Sequence, residues 1–571
     1  MPLACLLVLA AAAAPEPADL IIRRAKVLTV DDRFTVAEAV AVRAGRIAAV
    51  GSDAEVMRLA GAKTEVIDAG GRTVMPGLYD SHVHPTGAAV SELSAPLPRI
   101  KTLGDVFAHL RAQAAVTPKG GWIVMRYVFP TRLAEARFPT RAELDAAAPD
   151  HPVLFHAGPA GMVNTAALRR SGIAKDTPGL PEGVVRDPAT GEPTGMIRNA
   201  YGALKGFPAA GGDVPADARR EAVAKLFALY NSHGITSVAD RNAGRDALDL
   251  YRALRDGGKL TVRVNVARSF NPAGTREQIV RRLDDLVGPD KAGGPTGVGD
   301  DWVRVGPIKL FLDGGMLNGT AYMREPWPKG PTYQVITGDY RGMLFIPPGQ
   351  LDLVLAEAAG RGWRMTAHTA GEGAMDELLD AYERLDKAVP LKDRRFCITH
   401  ANFPSQRNLL RCKALGVCAD VQPAWLWKDG ATLLNVLGPA RMRWFQPYRS
   451  WMEHTVVGGG SDHMLGADPV ESINPWSPWL GIWVAVSRRL ERGGVHNPDD
   501  ERITREQAIR LYTRNNAWLN GEENDKGSLE VGKLADLILL DRDVLACPED
   551  DLRGTRVLRT IVGGRTVYWR E

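Results

Sequence analysis

At 571 residues the chain is longer than one small core requires, and its 45% apolar and 24% charged content is that of an ordinary globular protein. Such a length accommodates about two to four domains, or one large barrel with additions. A net charge of +4, with no basic run interleaved with aromatics, argues against nucleic acid as a partner.

Residues 3–14 are an apolar run followed by Pro15-Glu16-Pro17-Ala18. The run is too short to cross a bilayer as a helix and has the make-up of a secretory signal with an Ala-rich cleavage region. It predicts a signal segment over 1–18 and export, with no integral membrane segment after processing; read as an Ala-rich tail, it leaves the protein cytoplasmic. Five cysteines, Cys5, Cys397, Cys412, Cys418 and Cys547, show no Cys-x-x-Cys spacing and no disulfide framework.

Residues 19–51 and 64–71 alternate like short strands around Gly turns and form the N-terminal part of a β-sandwich, residues 19–72. Residues 73–84 read as one strand ending in His82 and His84. On a strand, residues two apart point the same way, so both imidazoles face one side, at a separation one metal ion can bridge. From about 86 to 230 helices and strands mix with Pro and Gly punctuation, which predicts a long insertion. From 220 onward helical and strand segments alternate regularly. The strands are predicted over 234–240, 260–266, 303–312, 363–368, 395–400, 416–421 and 454–462. With the strand at 73–84 they number eight, and eight strands alternating with helices predict a (β/α)8 TIM-like barrel over 73–518. Segments 533–540 and 557–568, the latter turning at Gly563-Gly564, are strands of a C-terminal part, 519–571. They are predicted to join the N-terminal strands in one small sandwich built from both chain ends.

Barrel enzymes carry their chemistry at the carboxyl ends of the strands. There the sequence places His82 and His84 on the first strand, Lys309 on the fourth, His368 on the fifth, His400 on the sixth and Asp462 on the eighth. Imidazole and carboxylate donors converging from several strands predict a divalent-metal site. His463 points the other way from Asp462 and either supports the site or faces substrate. His454 opens its strand at the wrong end for chemistry.

These residues sit in motifs that resemble the amidohydrolase superfamily, and within it the amidohydrolase family 3 group. The motifs are Pro76-Gly77-Leu78-Tyr79-Asp80-Ser81-His82-Val83-His84, Asn164-Thr165-Ala166-Ala167-Leu168, Ile308-Lys309-Leu310-Phe311-Leu312-Asp313-Gly314, Ala367-His368-Thr369-Ala370-Gly371-Glu372, Thr399-His400-Ala401, Gly460-Ser461-Asp462 and residues 139–145, 193–195 and 526–536. The resemblance covers nearly all of residues 19–571. It implies that His82, His84, His368, His400 and Asp462 bind metal, zinc above others, as one ion or two. It also implies that Lys309 bridges two ions if its amine is carboxylated. Three positions depart from the pattern: Gly158-Pro159, Glu372 and His463-Met464.

The implied chemistry is hydrolysis of a non-peptide carbon–nitrogen bond in a small-molecule amide. Water made acidic by the metal attacks the carbonyl, and Asp462 shuttles its proton to the leaving amine. His400 or His463 steadies the oxyanion. Seven tryptophans between 425 and 483 suggest a bulky apolar substrate group, with Trp425 and Trp427 as its contacts; equally, they pack helices onto the barrel. Arg441 and Arg443 are either carboxylate receivers or solvated. A deaminase or cyclic-amide hydrolase on the same scaffold, and a non-catalytic exported binding protein, are the rival readings; oligomeric state is left open.

Overall fold

The computed structural model describes residues 16–93, 96–208 and 214–571. The apolar run at 3–14 and the export reading built on it lie outside them. No helix among the described residues is long and apolar enough to cross a membrane.

Eight parallel strands form one sheet in chain order: β1 (Leu78–Val83), β2 (Ile235–Ala243), β3 (Arg263–Ser269), β4 (Val303–Phe311), β5 (Met365–Thr369), β6 (Cys397–His400), β7 (Cys418–Val421) and β8 (Val457–Gly459). Beyond β8 the Asp462 N–H donates to the His82 carbonyl at 2.7 Å, and the His84 N–H donates to the His463 carbonyl at 2.8 Å. These bonds draw the last strand against the first and nearly close the TIM-like barrel. Every residue of β1 is buried, as a strand covered on both faces requires. The helices between strands are amphipathic: Arg245–Asp256 buries Leu248, Tyr251 and Leu254 along one stripe. Thr275 and Ser405 cap the helices Arg276–Val287 and Gln406–Leu415, and Gly416, at φ +68°, ends the second.

Two sequence expectations change. Residues 73–84 are not one strand: Thr73–Pro76 belongs to a separate sheet, and β1 begins only after Gly77. A Cβ on Gly77 would stand 2.2 Å from Thr236 Oγ1 of β2, so the chain turns there from one sheet to the other at a point only glycine fits. His454 ends the helix Tyr448–His454 instead of opening a strand, and β8 is correspondingly short.

The six-stranded sheet that takes Thr73–Pro76 contains strands from both ends of the chain. Val74 and Met75 pair with Leu539 and Ile538, and Leu537–Leu540 pairs in turn with Val557–Val562. The turn at Gly563-Gly564 joins the last two strands. A four-stranded sheet from N-terminal residues alone packs against it. The insertion builds its own five-stranded sheet. Its turn at Pro130–Arg132 reaches back to the helix Pro423–Met442, where Thr131 Oγ1 donates to Asp429 at 2.8 Å.

Candidate metal centre

Strand ends bring the predicted residues together at the carboxyl mouth of the barrel. His82 Nε2 lies 3.2 Å and His84 Nε2 3.0 Å from the same oxygen, Asp462 Oδ1. One donor atom from each of the three lies within 4.8 Å of the others, a spacing a single cation spans. His400 stacks on His82 with ring centroids 5.0 Å apart, and His368 meets His400 edge-on at 4.2 Å. His400, at φ +74°, and Asp462, at φ +55°, are held in the left-handed region that non-glycine residues avoid. Such strain at strand ends is characteristic of functional positions.

The electrostatics suit metal ligation. Burial, reinforced by the Lys309 ammonium, holds the imidazoles of His82 and His368 far toward the neutral form, His368 at about 3. Burial and the neighbouring His368 do the same for His400. Neutral imidazole is the form that ligates. Lys309 is 1% exposed, and its Nζ finds no hydrogen-bond partner among the described residues. Burial pulls its amine down to about 7, against the pull of the Asp420 carboxylate. A buried, unpartnered amine among histidines and carboxylates is an orphan that a bound ion with its ligands would satisfy. The donor set of imidazole nitrogens and one carboxylate fits a borderline divalent cation.

The tuning residues were not picked out from sequence. Asp420 and Gln422 follow each other along and just past β7. Asp420 Oδ2 sits 3.1 Å from His82 Nδ1, and Gln422 Oε1 sits 2.8 Å from His400 Nδ1. Each partner fixes the tautomer that leaves Nε2 for the site. Asp420 also accepts from Ser81 Oγ at 2.5 Å, and Arg241 lies 3.4 Å away. The signal was available: two polar residues two apart at the end of an apolar strand point one way. Asp313, past β4, accepts backbone N–H bonds from Tyr322, Ala370 and Gly371 at 2.8–2.9 Å, tying two mouth loops together beside His368.

His463 does not face substrate. It is fully buried, with Nδ1 2.7 Å from Tyr230 Oη and Nε2 2.6 Å from the Gly466 carbonyl, so neither nitrogen is free. Trp425 faces the site, stacked on His400 at 4.8 Å. Trp427, two residues along the same helix, turns away, as that spacing dictates; it is buried under Lys428, whose Nζ lies 4.9 Å from its ring centre. Trp451, Trp476, Trp479 and Trp483 pack in the core. Arg441 is committed to Glu372 at 3.5 Å and Arg443 to Glu501 at 2.9 Å, so neither awaits a substrate carboxylate. Phe311, unremarked in sequence, shares its strand face with Lys309, lies 5.4 Å from His368 and is 40% exposed.

A TIM-like barrel with histidines and a carboxylate gathered at its carboxyl mouth defines a metal-dependent hydrolase. The amidohydrolase family model matches residues 65–568. The N-substituted formamide deformylase of Arthrobacter pascens is 30% identical over 566 residues, covering 97% of this chain and 98% of the relative. Among solved structures, an uncharacterized metal-dependent hydrolase from Pyrococcus furiosus superposes with a TM-score of 0.62 at 24% identity, over 92% of this chain and 99% of its own. Atrazine chlorohydrolase TrzN from Arthrobacter aurescens TC1, complexed with zinc, does so with 0.53 at 18%, over 96% and 95%. The chain belongs to the amidohydrolase family, as an enzyme acting on carbon–nitrogen bonds other than peptide bonds.

Proposed function

We propose that the protein hydrolyses small N-substituted amides, formamides first among them, whose amine carries a bulky apolar group. The observation that carries this is the meeting of His82 and His84 on Asp462 Oδ1. His82, His84 and Asp462 would hold one ion; His368, His400 and a carboxylated Lys309 are the residues for a second. Zinc matches the donors and is the metal named with the TrzN structure. When bound, the cation supplies a Lewis acid that acidifies water and polarises the carbonyl.

The chain's own residues do the rest. Asp462 Oδ1 accepts the proton as water attacks and passes it to the leaving nitrogen, which cannot depart as an anion. His400, clamped between His82 and Trp425 and tied at Nδ1 by Gln422, keeps the lone pair of Nε2 for the second ion; that nitrogen has no proton to offer a carbonyl oxygen. Phe311 and Trp425 flank His368 and His400 and offer apolar walls to the amine substituent. The formamide deformylase relative supports the formyl group as the acyl part.

The test is purified enzyme with its metal content measured, assayed on N-alkyl and N-arylalkyl formamides, acetamides and aminopurines, with formate, amine and ammonia read separately. The proposal expects formate and free amine in equal amounts, loss of turnover on chelation and recovery with zinc. Ammonia from aminopurines without formate release would establish the deaminase reading instead. Export rests on the apolar run at 3–14; recovery of full-length protein from the cytoplasmic fraction alone would dismiss it.

A further inference from the structure

Asp462 must keep one oxygen on the two histidines although its backbone sits in a strained conformation at φ +55°. What holds it is Asn474, a wholly buried residue in the loop after β8. Its Nδ2 donates to the Asp462 carbonyl at 2.7 Å and to Asp462 Oδ2 at 3.2 Å. Its Oδ1 receives Arg132 Nη1 at 3.1 Å and Trp425 Nε1 at 3.3 Å. Guanidinium and indole nitrogens only donate, so the amide has a single workable orientation, with its NH2 toward Asp462. Arg132 is itself anchored by a two-point pair with Asp429, at 3.0 and 2.9 Å.

We propose that Asn474 is the positioning residue for Asp462. It occupies Oδ2 and the peptide oxygen, so that Oδ1 alone is presented to His82 and His84, and Arg132 of the insertion sets the direction of the amide. Through the shared Oδ1 of Asn474 the aromatic wall at Trp425 is tied to the same anchor. Substrate pressed against that wall and the proton-carrying carboxylate are therefore held by one group. The inference rests on Asp462 being the metal-facing proton carrier proposed above.

The experiment replaces Asn474→Asp, which keeps an acceptor for Arg132 and Trp425 but turns the donor facing Asp462 into an acceptor. Arg132→Lys keeps the charge against Asp429 but loses the fork. Zinc affinity by competition with a chromogenic chelator and steady-state kinetics on a formamide are both read. The expected result for Asn474→Asp is a fall in kcat and in zinc affinity on the order of 10–100-fold, with KM changed less than about 2-fold; Arg132→Lys shifts both the same way by less. Wild-type kcat and zinc affinity in Asn474→Asp would overturn the inference, as would a change confined to KM or to the melting temperature. Wild-type protein that holds zinc but releases no formate defeats the substrate reading while the affinity arm still decides this one. Wild-type protein that holds no zinc defeats both. Should Asn474→Asp not fold, Arg132→Lys decides by the same two readouts.

Discussion

The carboxylate of Asp420 is the residue on which His82 turns. It takes Nδ1 at 3.1 Å, so Nε2, which faces Asp462 Oδ1 at 3.2 Å, keeps its lone pair for a cation. Asp420→Asn keeps shape and acceptor but removes the charge that favours that tautomer. Zinc affinity should fall on the order of 10–100-fold with the fold retained, measured by chelator competition beside circular dichroism. Asp462→Asn removes the proton carrier itself. Formate release should fall by about 10²–10⁴-fold while the far-ultraviolet spectrum is unchanged; a loss under 10-fold would assign the proton to another group. At this scale the sequence was informative where strand alternation applies. His82, His84, His368, His400 and Asp462 could all be placed at strand ends. Asp420 and Gln422 were legible only as two polar residues on one face at the end of β7, because the histidine each meets lies on another strand, and Asn474, in a loop, carries no strand pattern at all. His463 shows the converse: its direction was readable, but Tyr230, which occupies it, lies more than two hundred residues away.

Elements were legible wherever periodicity and caps agreed. All eight barrel strands lie where alternation with helices put them, and the error at 73–84 arose because Gly77 joins two strands of one continuous apolar pattern. That junction predicts a clash: Gly77→Ala drives a Cβ into Thr236, and core overpacking of this kind costs about 1–3 kcal/mol. Thr236→Gly in the same chain should recover part of it, read as a melting-temperature difference; simple additivity of the two losses would deny the contact. The short helix Arg141–Ala147 gives a pH test. Thr140 and Glu143 form its capping box, and Arg137 pairs with Glu143 at 2.8 Å. The guanidinium, with the Thr140 amide and hydroxyl, holds the Glu143 carboxyl down to about 2 from 4.5. A depressed carboxyl stabilises the folded form above its unfolded value and loses that contribution as pH falls through the folded one. Glu143→Gln should therefore lower the melting temperature at pH 7, and the gap from wild type should shrink between about pH 4.5 and 2.

The molecule as a whole is held by pairing across its own length, and Asp536 is where barrel and chain ends are joined. Its carboxylate receives Arg263 of β3 at 2.6 and 3.0 Å and the Gly563 N–H at 2.8 Å, while its carbonyl receives the Gly77 N–H at 2.9 Å. Arg263 and Asp536 are both buried, so deleting the acid leaves a guanidinium out of water with the Asp301 carbonyl as its one remaining hydrogen-bond partner among the described residues, the face of Trp302 beside it and the Asp301 and Glu522 carboxylates nearby. Breaking one side of a buried pair costs about 3–5 kcal/mol, because the uncompensated charge stays behind. An exposed pair such as Glu221 with Lys225 is worth at most about 1 kcal/mol. Asp536→Ala should thus unfold well below wild type, and Glu221→Ala should be indistinguishable from it, in parallel thermal melts at one scan rate. Arg263→Met with Asp536→Leu removes both charges and fills the space, and it should recover most of the loss. If Asp536→Ala melts with Glu221→Ala, the join between the barrel and the two-ended sheet does not rest on this pair but on contacts such as Thr560 Oγ1 donating to the Asn231 carbonyl at 2.7 Å and the Gly77 N–H on the Asp536 carbonyl.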